Sequence, residues 1–260
     1  MSIKAVFFDI DGTLLSHSTY SVPESTKKAL RLLKEKGIRT FIATGRHISE
    51  MKELPIQDLD FDGYITLNGQ YCFNEKEVIY ALPINQEDVD HIIEYVDKKH
   101  MPCIFVEDQE MYINFNNEVV ETVQKAISTD LPMIGDIHRG YSHPIYQVIP
   151  YDISEKTTKE ILDLMPHCKA TCWHPLAMDI IPSEGGKQNG IHQVLEYYCI
   201  KQEETMSFGD GHNDIDMFDY TNISVAMGNA NDEVKKAAQY VTDDIDDDGI
   251  YNALKHFNVI

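Results

Sequence analysis

Positive charge is what this chain has least of. There are 22 Lys and Arg against 43 Asp and Glu, a formal net charge of −21 over 260 residues. Four residues are arginine: Arg31, Arg39, Arg46 and Arg139. Such an acidic surface argues against nucleic acid or an anionic membrane face as a partner. It still allows a small phosphorylated ligand, which needs only a local cationic pocket. Long apolar runs are also missing: none approaches the roughly 20 residues that span a bilayer. The N-terminus has no apolar core or small-residue cleavage site of a signal peptide. The five cysteines are odd in number and scattered, which suits reduced thiols better than a disulfide framework. The expectation is a soluble cytoplasmic protein, and nothing in the sequence points to a particular oligomeric state.

What is present is most concentrated at the front. Ala5-Val6-Phe7-Phe8 leads into Asp9-Ile10-Asp11-Gly12-Thr13. An apolar run without alternation reads as a strand covered on both faces of a parallel sheet. Ligands bind such sheets just past the carboxyl ends of the strands. Asp9 and Asp11 fall there, followed by Gly12, which lets the backbone turn close to a ligand. Two acids so close repel unless a cation or a proton reconciles them.

Strand and helix patterns alternate along the first 82 residues. The spacing predicts a helix over 22–37, a strand over 38–43 ending at Thr44-Gly45-Arg46, and a short helix over 47–53. A strand over 64–67 ends at Asn68-Gly69, and a hairpin follows over 71–73 and 78–80. From Pro83 to Pro182 the texture is that of a separate mixed sheet. Strands are expected at 103–106, 111–115, 145–149, 169–173 and 177–181, with helices at 87–99, 118–128 and 155–165. The first texture then returns, with helices at 190–198, 215–220, 232–239 and 249–256 and strands at 205–208 and 223–227. The reading is a doubly wound α/β core of residues 1–82 and 183–260, interrupted by an inserted α/β domain of residues 83–182.

The strand tips of the core share one class of chemistry. Asp9, Asp210 and Asp214 are hard oxygen donors suited to Mg²⁺. Thr44, the Gly45 backbone N–H and Lys187, expected in a loop, are donors for phosphate oxygens. Parallel strands present these tips along one edge, so they can converge. Together they describe phosphoryl transfer by positioning and charge neutralisation. Asp9, straight off a strand, is the expected nucleophile, forming an aspartyl-phosphate. Asp11 is the expected acid/base, protonating the leaving oxygen and then taking a proton from water.

Asp-Ile-Asp-Gly-Thr, Thr44-Gly45-Arg46, Lys187 and Gly209-Asp210-Gly211-His212-Asn213-Asp214 resemble, in order, the four motifs of the haloacid dehalogenase (HAD) superfamily. The spacing is similar to that of its Cof-type phosphatases, which carry an inserted α/β (C2B-type) cap between the second and third motifs. The resemblance implies a Rossmann-like HAD core, an Mg²⁺-dependent phosphatase activity and a small phosphorylated metabolite as substrate. It implies Asp9 as nucleophile and Asp11 as acid/base, with the Asp11 backbone carbonyl on the metal. Asp210 would be a direct metal ligand, and Asp214 a ligand through water or a supporting group. Gly12, Thr44, Gly45, Lys187 and Asn213 would hold phosphate. One departure is visible: Gln188 stands where these proteins usually have Gly after the motif Lys.

Arg46, Asn68, Arg139 and His174 are candidates for contact with the organic part of the substrate; the last two lie in the inserted domain. Trp173, His138, Tyr141 and His143 belong to the same neighbourhood of sequence. His167, Cys168, Cys172 and His174 do not have a standard zinc spacing. Asp244–Asp248 mimics the start of a Ca²⁺ loop, but Lys255 stands where the closing Glu belongs, so a solvated acidic loop is expected. Two other functions share the core residues. A phosphosugar mutase of the phosphomannomutase type would need further cations in the insert, which holds Arg139 as its one arginine. A non-catalytic phosphometabolite-binding protein would not need every catalytic position filled.

Overall fold

The computed structural model describes residues 2–127 and 129–260, without the side chains of Cys172 and Trp173. Two compact units divide the chain: Met1–Ala81 with Gly186–Ile260, and Leu82–Gly185. The second unit therefore takes in Leu82 and residues 183–185 in addition to the expected insert.

The first unit opens with β1 (Ala5–Phe8), α1 (Glu24–Glu35), β2 (Arg39–Ala43), α2 (Ile48–Met51), β3 (Gly63–Thr66), β4 (Tyr71–Phe73) and β5 (Val78–Ala81). The second unit contributes α3 (Gln86–Lys99), β6 (Cys103–Val106), β7 (Met111–Ile113), α4 (Glu118–Ala126), β8 (Gln147–Pro150), α5 (Glu155–Leu164), β9 (Cys168–His174) and β10 (Ala177–Pro182). The chain then returns through α6 (Lys187–Tyr198), β11 (Thr205–Gly209), α7 (Ile215–Tyr220), β12 (Ile223–Ala226), α8 (Asp232–Ala237), β13 (Tyr240–Val241) and α9 (Gly249–His256).

The first unit holds an eight-stranded sheet in the order β13-β12-β11-β1-β2-β3-β4-β5. From β13 to β3 the pairs are parallel; β4 and β5 add antiparallel strands at one edge. β1 lies in the middle, and all four of its residues are buried. Alternation sends Val6 and Phe8 to one face and Ala5 and Phe7 to the other. Val6 and Phe8 pack with Ala29, Leu30 and Leu33 of α1 and Ile250, Ala253 and Leu254 of α9. Ala5 and Phe7 pack with Ile191, Val194 and Leu195 of α6, Met217 and Phe218 of α7, and Val234 of α8. Each phenylalanine also stacks on a neighbouring strand, Phe7 on Phe41 at 5.0 Å and Phe8 on Phe208 at 5.2 Å between centroids. Full burial of one such side chain is worth about 1.5–3 kcal/mol. The residues that follow β1 therefore leave a rigid, fully packed strand.

The second unit has a five-stranded antiparallel sheet, β7-β6-β8-β10-β9. Val89, Ile92, Ile93 and Val96 of α3 and Ile161 of α5 pack on Cys103, Phe105, Val148, Met178 and Ile180. This is an independent hydrophobic core, as expected for a domain.

The departures from the sequence reading have local causes. α1 starts at Glu24 because Pro23 takes the N-cap position, where a missing N–H costs nothing. β3 stops at Thr66 because Leu67 and Asn68 both have φ of 52°, a region no strand occupies. The helix expected over 232–239 ends at Ala237, and Tyr240–Val241 forms β13. A two-residue edge strand has too few residues to show a period. Ser128, the expected end of the α4 helix, lies outside the described residues. Lys187, expected in a loop, is the first residue of α6. Among the described residues no helix is long and apolar enough to cross a membrane.

Candidate active site

The carboxyl ends of β1, β2, β3 and β11 and the first turn of α6 bring the predicted core residues together. Asp9 continues the β1–β11 ladder by one residue: its N–H donates to Phe208 O at 3.0 Å. The residue is buried, 7% exposed. The chain then winds into a tight turn in which the N–H groups of Leu14 and Leu15 donate to Ile10 O at 2.9 and 2.8 Å. Gly12 has φ of +77° there, and a Cβ at that position would lie 2.1 Å from Asp210 Oδ2. Glycine is required by both the backbone angle and the approach of the carboxylate.

Lys187 is fully buried. Its Nζ donates to Asp9 Oδ1 at 2.7 Å and to Asp214 Oδ1 at 2.5 Å. Its place at the start of α6 is set by close backbone packing. Gly69 has φ of +95°, and a Cβ on it would lie 2.0 Å from Gly186 O, one residue before Lys187. Asp214 Oδ2 accepts the N–H groups of Asp210 and Gly211, both at 2.9 Å. Asp210 Oδ1 accepts the Thr13 hydroxyl at 2.9 Å. One carboxylate oxygen from each of Asp9, Asp210 and Asp214 lies within 4.8 Å of the others, and no other such His, Cys, Asp and Glu group occurs among the described residues.

The charges explain the titration. Burial pushes Asp9 well above the ordinary carboxylate range; Lys187 opposes this, and Asp214, Asp11 and Asp210 add to it. Burial disfavours a charged Lys187, but Asp214 and Asp9 overcome it and raise its pKa. Asp210 is pushed up to about 6 by burial and by the charge of Asp214. Three carboxylates against one ammonium leave two uncompensated negative charges, the charge of one divalent cation. The donor set is all hard oxygen, as Mg²⁺ prefers. The cluster is therefore able to hold a divalent metal ion.

Asp11 is held differently. Arg46 Nε donates to Asp11 Oδ2 at 2.6 Å and Arg46 Nη2 to Oδ1 at 2.8 Å. This two-point fork binds a carboxylate anion strongly, and it occupies the Arg46 guanidinium. Thr44 is buried; its Oγ1 accepts the Arg46 N–H at 3.1 Å. The turn after β3 is tied to the turn after β2 by Asn68 N–H donating to Thr44 O (3.0 Å) and Leu67 N–H donating to Arg46 O (3.3 Å). Those bonds hold two consecutive non-glycine residues at positive φ, at a cost of roughly 1–2 kcal/mol each. Asn213 Nδ2 donates to Asn68 Oδ1 at 3.0 Å, so these two candidates also meet.

Two candidates lie in the second unit. Arg139 is bound to Glu107 and Glu110, each at 2.7 Å, and lies over the Tyr112 ring. His174 accepts the Leu176 N–H on Nδ1 at 3.1 Å. Of the rejected zinc set, His167 and Cys168 both contact the buried Asp88 carboxylate, and the Cys172 side chain lies outside the described residues. The expected acidic loop is a short 3-10 turn at Ile245–Asp247. Sequence reasoning missed Thr13 as a partner of Asp210, although the residue sits within the first motif. It also missed Asn229, whose Nδ2 reaches Gly12 O at 2.8 Å and Asp210 Oδ2 at 3.4 Å. The available signal was its place just past the tip of β12, the strand beside β11.

Known proteins are similar to this chain over nearly all of its length. The family model of haloacid dehalogenase-like hydrolases matches residues 6–254. The candidate phosphatase YkrA of Bacillus subtilis (strain 168) is 32% identical over 263 residues, covering 100% of both chains. The solved structure of a sugar phosphatase of HAD subclass IIB is 42% identical, with a TM-score of 0.84 over 99% of this chain and 100% of that one. A HAD-superfamily phosphatase from Bacteroides thetaiotaomicron is 34% identical, with a TM-score of 0.90 over 100% of this chain and 96% of that one. This chain belongs to the haloacid dehalogenase-like hydrolase family, as one of its phosphatases.

Proposed function

We propose that this chain hydrolyses small phosphate monoesters through an aspartyl-phosphate on Asp9, with Mg²⁺ as its cation. The observation that carries the reading is the group formed by buried Asp9, Asp214 and Lys187 with half-buried Asp210, which holds two negative charges in excess. Asp9 and Asp210 would hold the ion with the Asp11 backbone carbonyl, and Asp214 would support it. Bound there, Mg²⁺ supplies charge beside the phosphoryl oxygens and lets the carboxylates stay ionised together.

The chain's own residues do the rest. An Asp9 carboxylate oxygen attacks phosphorus; the bond to the ester oxygen breaks as the new P–O bond forms. Asp11 gives its proton to the departing alkoxide. Water then attacks the same phosphorus, the bond to Asp9 breaks, and the water proton returns to Asp11. For this Asp11 must leave the Arg46 fork. Lys187, the Thr44 hydroxyl, the Gly45 N–H and Asn213 are the phosphate donors; the Gly12 N–H, also expected to serve, is taken by Leu15 O at 2.9 Å. Thr44 Oγ1 accepts from Arg46 N–H, which leaves its own proton free to donate.

Residues 83–182 serve as the cap that selects the organic part, a sugar phosphate or similar metabolite. The subclass IIB sugar phosphatase at 42% identity supports that class. Arg139, tied to Glu107 and Glu110, acts as a staple of the cap, and a mutase gains no support from it. Arg46 and Asn68 at the core, and His174 in the cap, are the substrate-side candidates. The unpaired Cys72, Cys103, Cys168 and Cys199 suit a reducing cytoplasm. The test is phosphate release from a panel of phosphorylated metabolites, with EDTA and Mg²⁺ as the two arms. Mg²⁺-restored hydrolysis of small monoesters is expected; hydrolysis insensitive to EDTA, or none across the panel, contradicts the reading.

A further inference from the structure

We infer that Asn229 is a positioning residue of the metal site, holding Asp210 and the Gly12 turn in register. The inference rests on the assignment of Asp210 as a metal ligand. One N–H of the Asn229 side chain donates to Gly12 O at 2.8 Å and the other faces Asp210 Oδ2 at 3.4 Å. Its Oδ1 accepts the Ile245 N–H at 3.1 Å. A backbone carbonyl on one side and a backbone N–H on the other leave a single orientation for the amide. Asp210 is thereby gripped at both oxygens, Thr13 on Oδ1 and Asn229 on Oδ2, with lone pairs remaining on each.

The same amide closes a circuit. Ile245 begins the acidic turn in which Asp246 accepts the Ser18 hydroxyl at 2.5 Å. Ser18 belongs to the loop that starts at Gly12. The segment 12–18 is therefore fastened to 245–246 at both ends, by Asn229 and by Ser18. An exposed acidic loop, which the sequence reading left to solvent, braces the turn that carries Asp11. Asparagine meets the donor-and-acceptor demand at this reach; aspartate would set an oxygen against Gly12 O, and alanine removes all three bonds.

Asn229 is itself exposed, so its removal leaves the hydrophobic core intact. Partners behind a metal ligand typically change affinity by about 10–100-fold. The experiment is calorimetric titration of the metal-free protein with Mg²⁺, alongside its thermal midpoint. Asn229→Ala is expected to weaken Mg²⁺ binding roughly 10-fold and to raise the Mg²⁺ requirement for activity in parallel. Asn229→Ser, too short to span Gly12 and Ile245, is expected to do the same and serves if the alanine variant does not fold. Asp210→Asn is expected to lose Mg²⁺ binding. If Asp210→Asn loses binding while both Asn229 variants bind like the parent, this inference fails and the metal assignment stands. If Asp210→Asn binds like the parent, the metal assignment itself fails.

Discussion

Lys187 Nζ donates to Asp9 Oδ1 at 2.7 Å, a buried ammonium held against the carboxylate that leaves the central strand. Asp214 takes a second bond from the same nitrogen. Removing one partner of a buried ion pair costs about 3–5 kcal/mol, because the other charge stays behind unpaired. Lys187→Met is therefore expected to lower the stability of the metal-free protein by about that amount and to abolish phosphate release. Thermal or urea denaturation at neutral pH checks the first half. A variant as stable as the parent would mean that the pair is not buried as described.

Protons and metal compete for the same oxygens. Asp210 titrates near 6 when the metal is absent, and Asp9 is also raised; an unfolded Asp titrates near about 3.9. The folded state thus binds protons more tightly than the unfolded state. The contribution is fully present below about pH 4 and is lost as pH rises through about 6. The metal-free protein should lose stability from these groups over that window. Added Mg²⁺ should raise the melting temperature more at about pH 7.5 than at about pH 5. Differential scanning with and without Mg²⁺ reads this directly. An equal shift at both pH values contradicts the coupling.

Much of this site was legible because its residues sit at strand tips in short motifs. Asp9, Asp11, Thr44, Asp210 and Asp214 carry their chemistry in their identity, and the apolar runs before most of them announce the strands. What was hidden depends on distant partners. Nothing local says that Arg46 will fork onto Asp11, 35 residues away in sequence, or that Asn229 will reach Gly12. The left-handed pair Leu67–Asn68 was hidden too, since leucine gives no warning of positive φ. β13 has just two residues, and Lys187 looked like a loop lysine because Gly185-Gly186 precedes it and Gly190 follows.

Asp11 should affect the two chemical steps through its proton. Asp11→Asn is expected to slow hydrolysis of alkyl phosphates by about 10²–10⁴-fold, with a smaller effect on ester cleavage when the leaving group is a nitrophenol. Rapid-quench measurements on both ester types give the comparison. Equal loss for both leaving groups would argue against Asp11 as the acid.

Gly12 tolerates no side chain where it stands. Its φ is +77° and the Asp210 carboxylate occupies the space a Cβ would need. Gly12→Ala should cost roughly 1–2 kcal/mol in backbone strain alone and should displace Asp210. Melting temperature and Mg²⁺ titration together check it; a variant with parental stability and Mg²⁺ affinity would contradict the contact.

The central claim is the covalent bond between Asp9 and phosphorus. Enzyme quenched during turnover can be reduced with borohydride, which converts an acyl phosphate to an alcohol, and its peptides read by mass spectrometry. The account predicts that Asp9 is converted to homoserine, that no other carboxylate is, and that Asp9→Asn shows neither turnover nor modification. Steady phosphate release by Asp9→Asn, or reduction at a carboxylate other than Asp9, would contradict it.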